Sequence, residues 1–214
     1  MRGVQMKYRL PAIFPAVLRR CVDKLERGYY AVRSPLLSWL WGVSAESRVR
    51  YYGRTLLRTH GKEIKIGKET TFVSNESLNL VGLTGPTILD TLNCGRIVIG
   101  ERCGFSSVVI SSKTRVAIGD RVLAGGNVRI FDHDYHAVEC HHRADPVLNA
   151  ENIRTEPVVI EDDCFIGTNA IILKGTHLGA RTIVAAGSVV FGLDVPPDSL
   201  VKGNPAVICS RKKS

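Results

Sequence analysis

The sequence predicts an all-β solenoid, a three-sided parallel β-helix that follows a helical N-terminal segment. The main observation is an interval of six residues from position 160 onward. Its aliphatic positions are Ile160, Ile166, Ile172, Leu178, Val184 and Val190. A small residue stands four positions after each of the first five: Cys164, Ala170, Thr176, Thr182 and Ser188. No helix has this period, whereas a β-helix with one short strand and one corner per hexad does, so three hexads complete one coil.

The same interval recurs upstream with irregular gaps. Its aliphatic or small positions are Ile66, Phe72 and Leu78, then Ile99 and Phe105, then Ile118, Ala124 and Ile130. The gaps predict small insertions at the corners of the coil. A longer interruption, which we predict to be an extended loop over 131–157, holds four of the six histidines. Long excursions from a regular scaffold are more often functional than structural.

The first 62 residues have a different composition from the rest. They contain 13 Lys or Arg against three acidic residues, while the remaining chain contains 16 against 17. Apolar residues recur at helical spacing between Pro15 and Arg33, and a tryptophan-rich stretch follows from Ser34 to Gly42. We predict an amphipathic helix that packs on the main domain or on a sister subunit. The alternative is an interfacial helix that rests on anionic lipid.

The predicted organisation is therefore a basic helical segment over 1–62, a β-helix over 63–195 and a C-terminal tail over 196–214. We expect no nucleic-acid partner, because the basic excess is confined to the first segment and the chain beyond it has no basic surface interleaved with aromatic residues. The six cysteines include no CxxC pair, which favours a reducing cytoplasm. Neither a signal-peptide pattern nor a bilayer-spanning apolar run is found. We expect a cytoplasmic protein whose N-terminal helix would be its only contact with the inner face of a membrane.

Three stretches carry a resemblance to a known family: IGDRVLAGGNVRIFDHDYH (118–136), PVVIEDDCFIGTNAIILKGTHLGA (157–180) and VAAGSVVFGLDVPPDSLVKGNPA (184–206). They resemble the hexapeptide-repeat acyltransferases, and most closely the maltose, galactoside and polysaccharide O-acetyltransferases. The resemblance covers roughly 63–208. It implies a left-handed coil, a homotrimer, and active sites between subunits where acetyl-CoA, the cosubstrate, lies along the prism.

The histidine-rich motif FDHDYH is the expected catalytic region. Acyl transfer to a hydroxyl needs a group that takes the proton of the alcohol, and a neutral imidazole suits this task. The position that matches the histidine of the family is His133, so the resemblance implies that His133 is the general base for direct attack on the thioester. Asp132 and Asp134 are candidates for orienting this ring or binding sugar hydroxyls, and His136 is a candidate substrate contact.

Cosubstrate contacts are also implied by the resemblance. Four small residues match places where the family lets the pantetheine arm lie against the backbone: Gly167, Thr168, Ala186 and Gly187. The basic residues that follow the terminal Asn-Pro-Ala in the family are displaced in this chain. Lys202 and Arg211, with Lys212 and Lys213, are candidates for the phosphates of coenzyme A, and a disordered basic tail is an equal alternative.

Two departures from the family pattern concern the acceptor and the last hexads. The similar acetyltransferases carry an asparagine that helps bind the acceptor near the position of Phe105, where this chain has Ser106 and Ser107 as candidate substitutes. A Thr-Lys pair expected after the last regular hexad is replaced by residues 191–193.

The leading hypothesis is an acetyl-CoA-dependent O-acetyltransferase that acts on a sugar hydroxyl in cell-surface polysaccharide assembly; N-acylation of an amino sugar would use nearly the same base. A γ-class carbonic anhydrase-like zinc protein is the first alternative, because His136 and His141 are spaced like ligands of that class. It lacks a third histidine in place, since His60 precedes the first clear hexad, and we predict no metal. A noncatalytic β-helix subunit is the other alternative.

Overall fold

The computed structural model describes residues 13–92 and 94–209, and within these ranges the strands form three parallel sheets wound around one core. A helix, α1 (Ile13–Leu40), precedes them. Strands are numbered in chain order, and each coil contributes one strand to each sheet.

The first sheet contains β1 (Ser44–Ala45), β4 (Ile64–Ile66), β7 (Ile97–Ile99), β10 (Val116–Ile118), β13 (Val158–Ile160), β16 (His177–Leu178) and β19 (Asp194–Val195). The second contains β2 (Arg50–Gly53), β5 (Thr71–Ser74), β8 (Gly104–Ser106), β11 (Leu123–Gly126), β14 (Phe165–Ile166), β17 (Ile183–Val184), β20 (Leu200–Gly203) and, antiparallel to it, β21 (Ala206–Cys209). The third contains β3 (Thr55–Arg58), β6 (Thr87–Asp90), β9 (Val109–Ser111), β12 (Arg129–Phe131), β15 (Ile171–Ile172) and β18 (Val189–Val190).

The core confirms the predicted hexads. All six aliphatics from Ile160 to Val190 are buried, as are the five small residues that follow them. Strand pairing stacks equivalent positions, for example Ile130 on Ile172 and Ile172 on Val190. Each side chain therefore packs on the one above it in the next coil, which is how a solenoid builds a continuous core from very short strands.

The prediction for one upstream position was wrong. Leu78 was predicted to point inward, but it is 43% exposed and lies in a loop over 75–86 between β5 and β6. The inward position of that coil belongs to Leu89, which pairs in register with Leu57 and Ile110. The corner insertion is therefore placed before β6.

Non-glycine residues occupy the left-handed backbone region at the corner between the first and second sheets in each coil. They are Arg48, Glu69, Arg102, Arg121, Asp163, Arg181 and Asp198, with φ between 54° and 61°. Their side chains stack along the coil, and opposite charges pair: Arg48 with Glu69 at 2.7 Å, Arg121 with Asp163 at 2.6 Å, and Arg181 with Asp198 at 2.7 Å. The left-handed backbone of this corner is therefore adopted by polar residues, and several of them form ion pairs with the equivalent residue of the next coil.

The outward face of the first sheet carries a second polar cluster. His177 lies between Glu161 and Asp194 of the adjacent coils, with Nε2 3.0 Å from Glu161 Oε1 and Nδ1 2.8 Å from Asp194 Oδ1. The hydrogen bond to Glu161 is the largest cause of a raised pKa of His177, and Asp194 adds to it.

The boundaries differ from the predicted organisation. β1, β2 and β3 already pair with the later coils, so the β-helix starts near Ser44 and not at residue 63. The predicted tail from 196 contains β20 and β21, which extend the second sheet. The interruption expected over 131–157 lies between the end of β12 and the start of β13.

The helix α1 packs on the first coil through its polar inner face. Ser34 Oγ accepts from the Tyr51 N–H at 2.9 Å, Ser38 Oγ lies 3.1 Å from the Tyr51 hydroxyl, and Arg33 donates to the Tyr51 carbonyl at 3.2 Å. Packing on the main domain is thus as expected, although the side chains of 13–24 lie outside the described set. In the described part of the chain, no helix has the length and apolarity that crossing a bilayer requires.

Candidate active site

The histidine loop leaves the third sheet after Phe131 and returns at Val158, and its two ends pair with each other. His133 forms an antiparallel bridge with Thr155, the Asp134 N–H donates to the Arg154 carbonyl at 3.1 Å, and the Glu156 N–H donates to the Asp132 carbonyl at 2.9 Å. We call these paired ends of the loop the neck. Beyond it lie two short helices, α2 (Cys140–Arg143) and α3 (Pro146–Glu151).

Asp132 ties the neck to the preceding coil. Its carboxylate is fully buried and accepts four hydrogen bonds of 2.6–2.8 Å, from the Ser112 hydroxyl and from the backbone N–H groups of Lys113, Thr114 and Arg115. These groups form the corner of the preceding coil. Both oxygens are therefore occupied inside the single chain, and the predicted contact of Asp132 with a sugar hydroxyl stays a prediction.

His133 is also enclosed. Tyr135 donates its N–H to Nδ1 at 3.1 Å, so Nδ1 is an acceptor, and the proton of the neutral ring lies on Nε2, 3.0 Å from Ser111 Oγ. The residue is 2% exposed, and assembly with further subunits only covers more surface. Burial lowers the pKa of His133, and Lys113 lowers it further against the opposing effect of Asp132. In the single chain both nitrogens have partners inside the protein, and the predicted role of His133 as general base stays a prediction.

His136 is the exposed imidazole just beyond the neck. The side-chain amide of Asn149 holds it: Nδ2 lies 3.0 Å from His136 Nδ1, while Asn149 Oδ1 accepts from the Ala137 N–H at 2.8 Å. Asn149 sits on α3, whose first turn is capped by Asp145. Asn149 was not found from the sequence, because a residue 13 positions away in an irregular loop gives no periodic signal.

Asp134 ties the loop to the next coil. Its carboxylate is ion-paired with Lys174, which is 9% exposed and whose Nζ also lies 4.7 Å from the centre of the Phe191 ring. The three residues stack at the corner between the third and first sheets. Asp134 thus acts as an anchor of the loop, and its predicted contact with substrate hydroxyls stays a prediction.

The two serines predicted near the acceptor have different surroundings. Ser107 is buried and donates to the Gly85 carbonyl at 2.7 Å, so it holds the loop over 75–86 and is not available to a substrate. Ser106 is half-buried and accepts from Asn79 Nδ2 at 2.8 Å. An asparagine thus does reach this place, although it comes from the inserted loop and not from the hexad.

Asn127 fixes that inserted loop, which the sequence did not reveal. Its Oδ1 accepts from the Thr84 N–H at 2.9 Å, and its Nδ2 donates to the Gly82 carbonyl at 2.9 Å. The side chain is almost fully buried. The loop over 75–86 is therefore held in place at the corner between the second and third sheets.

The four small residues predicted to meet the pantetheine arm all lie at this same corner. Gly167 is buried, and a Cβ there would lie 2.4 Å from Ala186 N, so close stacking of coils already requires glycine. Thr168 is half-buried, whereas Ala186 and Gly187 are exposed, with open space where a Gly187 Cβ would lie. Side chains at these four positions are short, which leaves room for an extended ligand beside the backbone.

Lys202 is exposed at the end of β20, and Arg211 lies outside the described residues. Over 13–92 and 94–209, no three His, Cys, Asp or Glu side chains are grouped so as to hold a metal ion. The small residues and His136 lie on opposite edges of the third sheet. A site that uses both edges is most simply built from two protomers.

The comparisons with known proteins agree with this fold. Residues 157–191 match a model described as the hexapeptide repeat of succinyl-transferase. The chain is similar to a hexapeptide-repeat-containing acetyltransferase of Vibrio cholerae O1 biovar eltor solved with acetyl coenzyme A, with 28% identity, a TM-score of 0.56, and coverage of 93% of this chain and 89% of that one. A galactoside acetyltransferase in complex with coenzyme A gives 18% identity, a TM-score of 0.51, and coverage of 83% and 68%.

A shorter match reaches 52% identity over 52 residues with the 2,3,4,5-tetrahydropyridine-2,6-dicarboxylate N-acetyltransferase of Staphylococcus aureus, which is 24% of this chain. The match spans about a fifth of that relative, 21% of its length. The fold is an all-β solenoid, a left-handed parallel β-helix with an N-terminal helix. The resemblance to hexapeptide-repeat acetyltransferases is confirmed.

Proposed function

We propose that this chain is an acyltransferase that uses acetyl coenzyme A and transfers the acetyl group to a hydroxyl of a sugar acceptor, with His136 as general base. The observation that carries the proposal is the exposed His136 ring, held at one nitrogen beside the coil. The similarity to the acetyl-coenzyme-A-bound Vibrio protein over 93% of the chain supports the choice of cosubstrate.

The chemistry assigned to His136 follows from its surroundings. To accept the proton of the acceptor hydroxyl, Nε2 must be unprotonated, so the ring proton must lie on Nδ1. In the single chain Nδ2 faces Nδ1, because Oδ1 accepts from the Ala137 N–H. The tautomer that the proposed reaction needs therefore requires the Asn149 amide to turn over and give up the hydrogen bond from Ala137. Asn149 thereby aligns the ring, and general-base assistance of this kind contributes about 10²–10⁴-fold in rate.

A trimeric assembly completes the proposed site. The second sheet presents an outward apolar row, in which Leu123 pairs in register with Phe165 and Phe165 with Ile183. Leu123 and Phe165 are about half exposed in the single chain. This row is the surface that we propose is buried between copies.

The test is acetyl transfer from acetyl coenzyme A to a panel of sugars by purified wild type and four variants. His136→Ala is expected to lower kcat at least about 10²-fold with the assembly intact. His141→Ala, an exposed histidine of α2, is the matched control and should retain activity. His133→Ala should lower stability more than it lowers the rate per folded molecule. A His136→Ala enzyme with near-normal kcat would overturn the assignment.

Acceptor class is tested with the same enzyme. Sugars that carry a free hydroxyl but no amine are expected to be acetylated, and product hydrolysis by mild base identifies an ester. The N-acetyltransferase match gives a specific second candidate, an amine acceptor. Turnover of amino sugars alone, with a base-stable product, would favour that candidate and overturn the O-acetyl proposal. The fourth variant, Asn149→Ala, removes the amide that faces the His136 ring.

A further inference from the structure

The outer side of α1 is a continuous apolar stripe that nothing in the described chain covers. Five residues at alternating spacings of four and three form it: Leu25, Tyr29, Val32, Leu36 and Trp39. Their exposure runs from 57% to 77%, and Leu40 and Trp41 extend the stripe. Arg33 is the only charged residue between Gly28 and Val43, and it turns inward to Tyr51.

The charge of the segment indicates what covers this stripe. Residues 1–62 hold 13 Lys or Arg against three acids. Bringing two such segments of sister chains together places like charges side by side, whereas an anionic surface attracts them. A cleft of about 470 Å³ lies beside the stripe, and its lining includes Trp39 and the charged residues Arg48, Arg50 and Glu46. The charge of this lining is also net positive.

The aromatic content of the stripe favours a lipid surface over a protein groove. Tyr29, Trp39 and Trp41 are exposed, and tyrosine and tryptophan have the amphipathic rings that suit the headgroup level of a bilayer. Amphipathic helices that have one apolar face and basic residues on the polar face lie in the plane of this interface. We propose that the stripe of α1 docks flat on an anionic lipid bilayer, which places the β-helix beside the membrane surface without crossing it.

The two tryptophans of the chain, Trp39 and Trp41, both belong to this face, so intrinsic fluorescence reports on it directly. The full chain is mixed with vesicles of phosphatidylcholine and phosphatidylglycerol in equal parts, or of phosphatidylcholine alone. With the mixed vesicles we expect a blue shift of emission and co-sedimentation, both weakened by added salt. With phosphatidylcholine alone we expect little of either.

Val32→Ser/Leu36→Ser keeps both tryptophans and is expected to weaken vesicle partitioning about tenfold or more. The matched control is Leu80→Ser/Val147→Ser, two exposed apolar residues away from α1, which should bind like wild type. Acetyl transfer to a soluble acceptor should be unchanged in Val32→Ser/Leu36→Ser, so failure here is separable from failure of the proposed activity. Equal binding to both vesicle types, unaltered binding by Val32→Ser/Leu36→Ser, or loss of oligomerisation in that variant would overturn the proposal.

Discussion

Asp132→Ala is the perturbation whose cost can be worked out most directly from the structure. In the native protein the carboxylate satisfies the N–H groups of Lys113, Thr114 and Arg115 and the hydroxyl of Ser112. Ser112 retains a second partner, the Arg96 carbonyl at 3.1 Å. Three partly buried backbone amides would therefore lose their acceptor, each toward the lower end of about 1–3 kcal/mol, so we expect the free energy of unfolding to fall by about 3–5 kcal/mol.

Two further variants calibrate this value. Asp132→Asn can place its carbonyl oxygen where Oδ2 accepts three of the four bonds, so it loses mainly the bond from Lys113 and should cost about 1–2 kcal/mol. Asp145→Ala removes a carboxylate that also accepts two backbone N–H groups, but at an exposed helix cap, and should cost about 1 kcal/mol.

The assay is urea unfolding followed by far-ultraviolet circular dichroism at one fixed protein concentration, because an oligomer has a concentration-dependent midpoint. The expected order of loss is Asp132→Ala, then Asp132→Asn, then Asp145→Ala. If Asp132→Ala unfolds like Asp145→Ala, the account of the neck is refuted. If, in addition, its turnover falls, the result would support Asp132 as a substrate ligand.

Three further predictions concern the core, the first sheet and the base. Leu89→Ala should lower the free energy of unfolding by about 3 kcal/mol, whereas Leu78→Ala should change it by less than about 0.5 kcal/mol, as measured by urea midpoints. The pKa of His177 is raised in the folded protein, so the stability that His177 contributes is fully present below its unfolded pKa of about 6.5. That contribution is lost as the pH rises through the folded pKa. His177→Gln should therefore flatten the dependence of the thermal midpoint on pH over that range. Asn149→Ala should lower kcat about tenfold with little change in KM for the acceptor, because the His136 ring loses its orientation.

The sequence was sufficient for the regular part of the coil and insufficient where the chain departs from it. A repeat of six specifies which side chains point inward, because each coil must stack on the next, and so Ile130, Ile172 and Val190 could be placed. An insertion has no period, which is why Leu78 was placed inside and Leu89 was missed. The start of the coil was set too late for the same reason, since the first coils lack the strict interval.

The candidate site could be located from the sequence, but its residues could not be ranked. The loop over 131–157 stood out as the long interruption between two regular hexads. Which of its side chains faces the coil depends on the antiparallel pairing of its two ends, and Thr155 and Arg154 give no hint of that pairing. The amide partner of the exposed histidine, Asn149, depends in turn on where α3 lies.

The neck explains why two histidines three residues apart have different surroundings. Asp132 and His133 follow β12 directly, so they remain within the zone where backbone pairs with backbone, and their side chains fill the corner of the coil beneath. Beyond the neck the chain is free of this constraint, and His136 turns outward with one nitrogen held. A loop that must present a reactive ring needs a rigid attachment before it, since a loose ring loses the alignment that makes a base effective. The buried polar residues next to the strand are therefore the support on which the exposed imidazole depends.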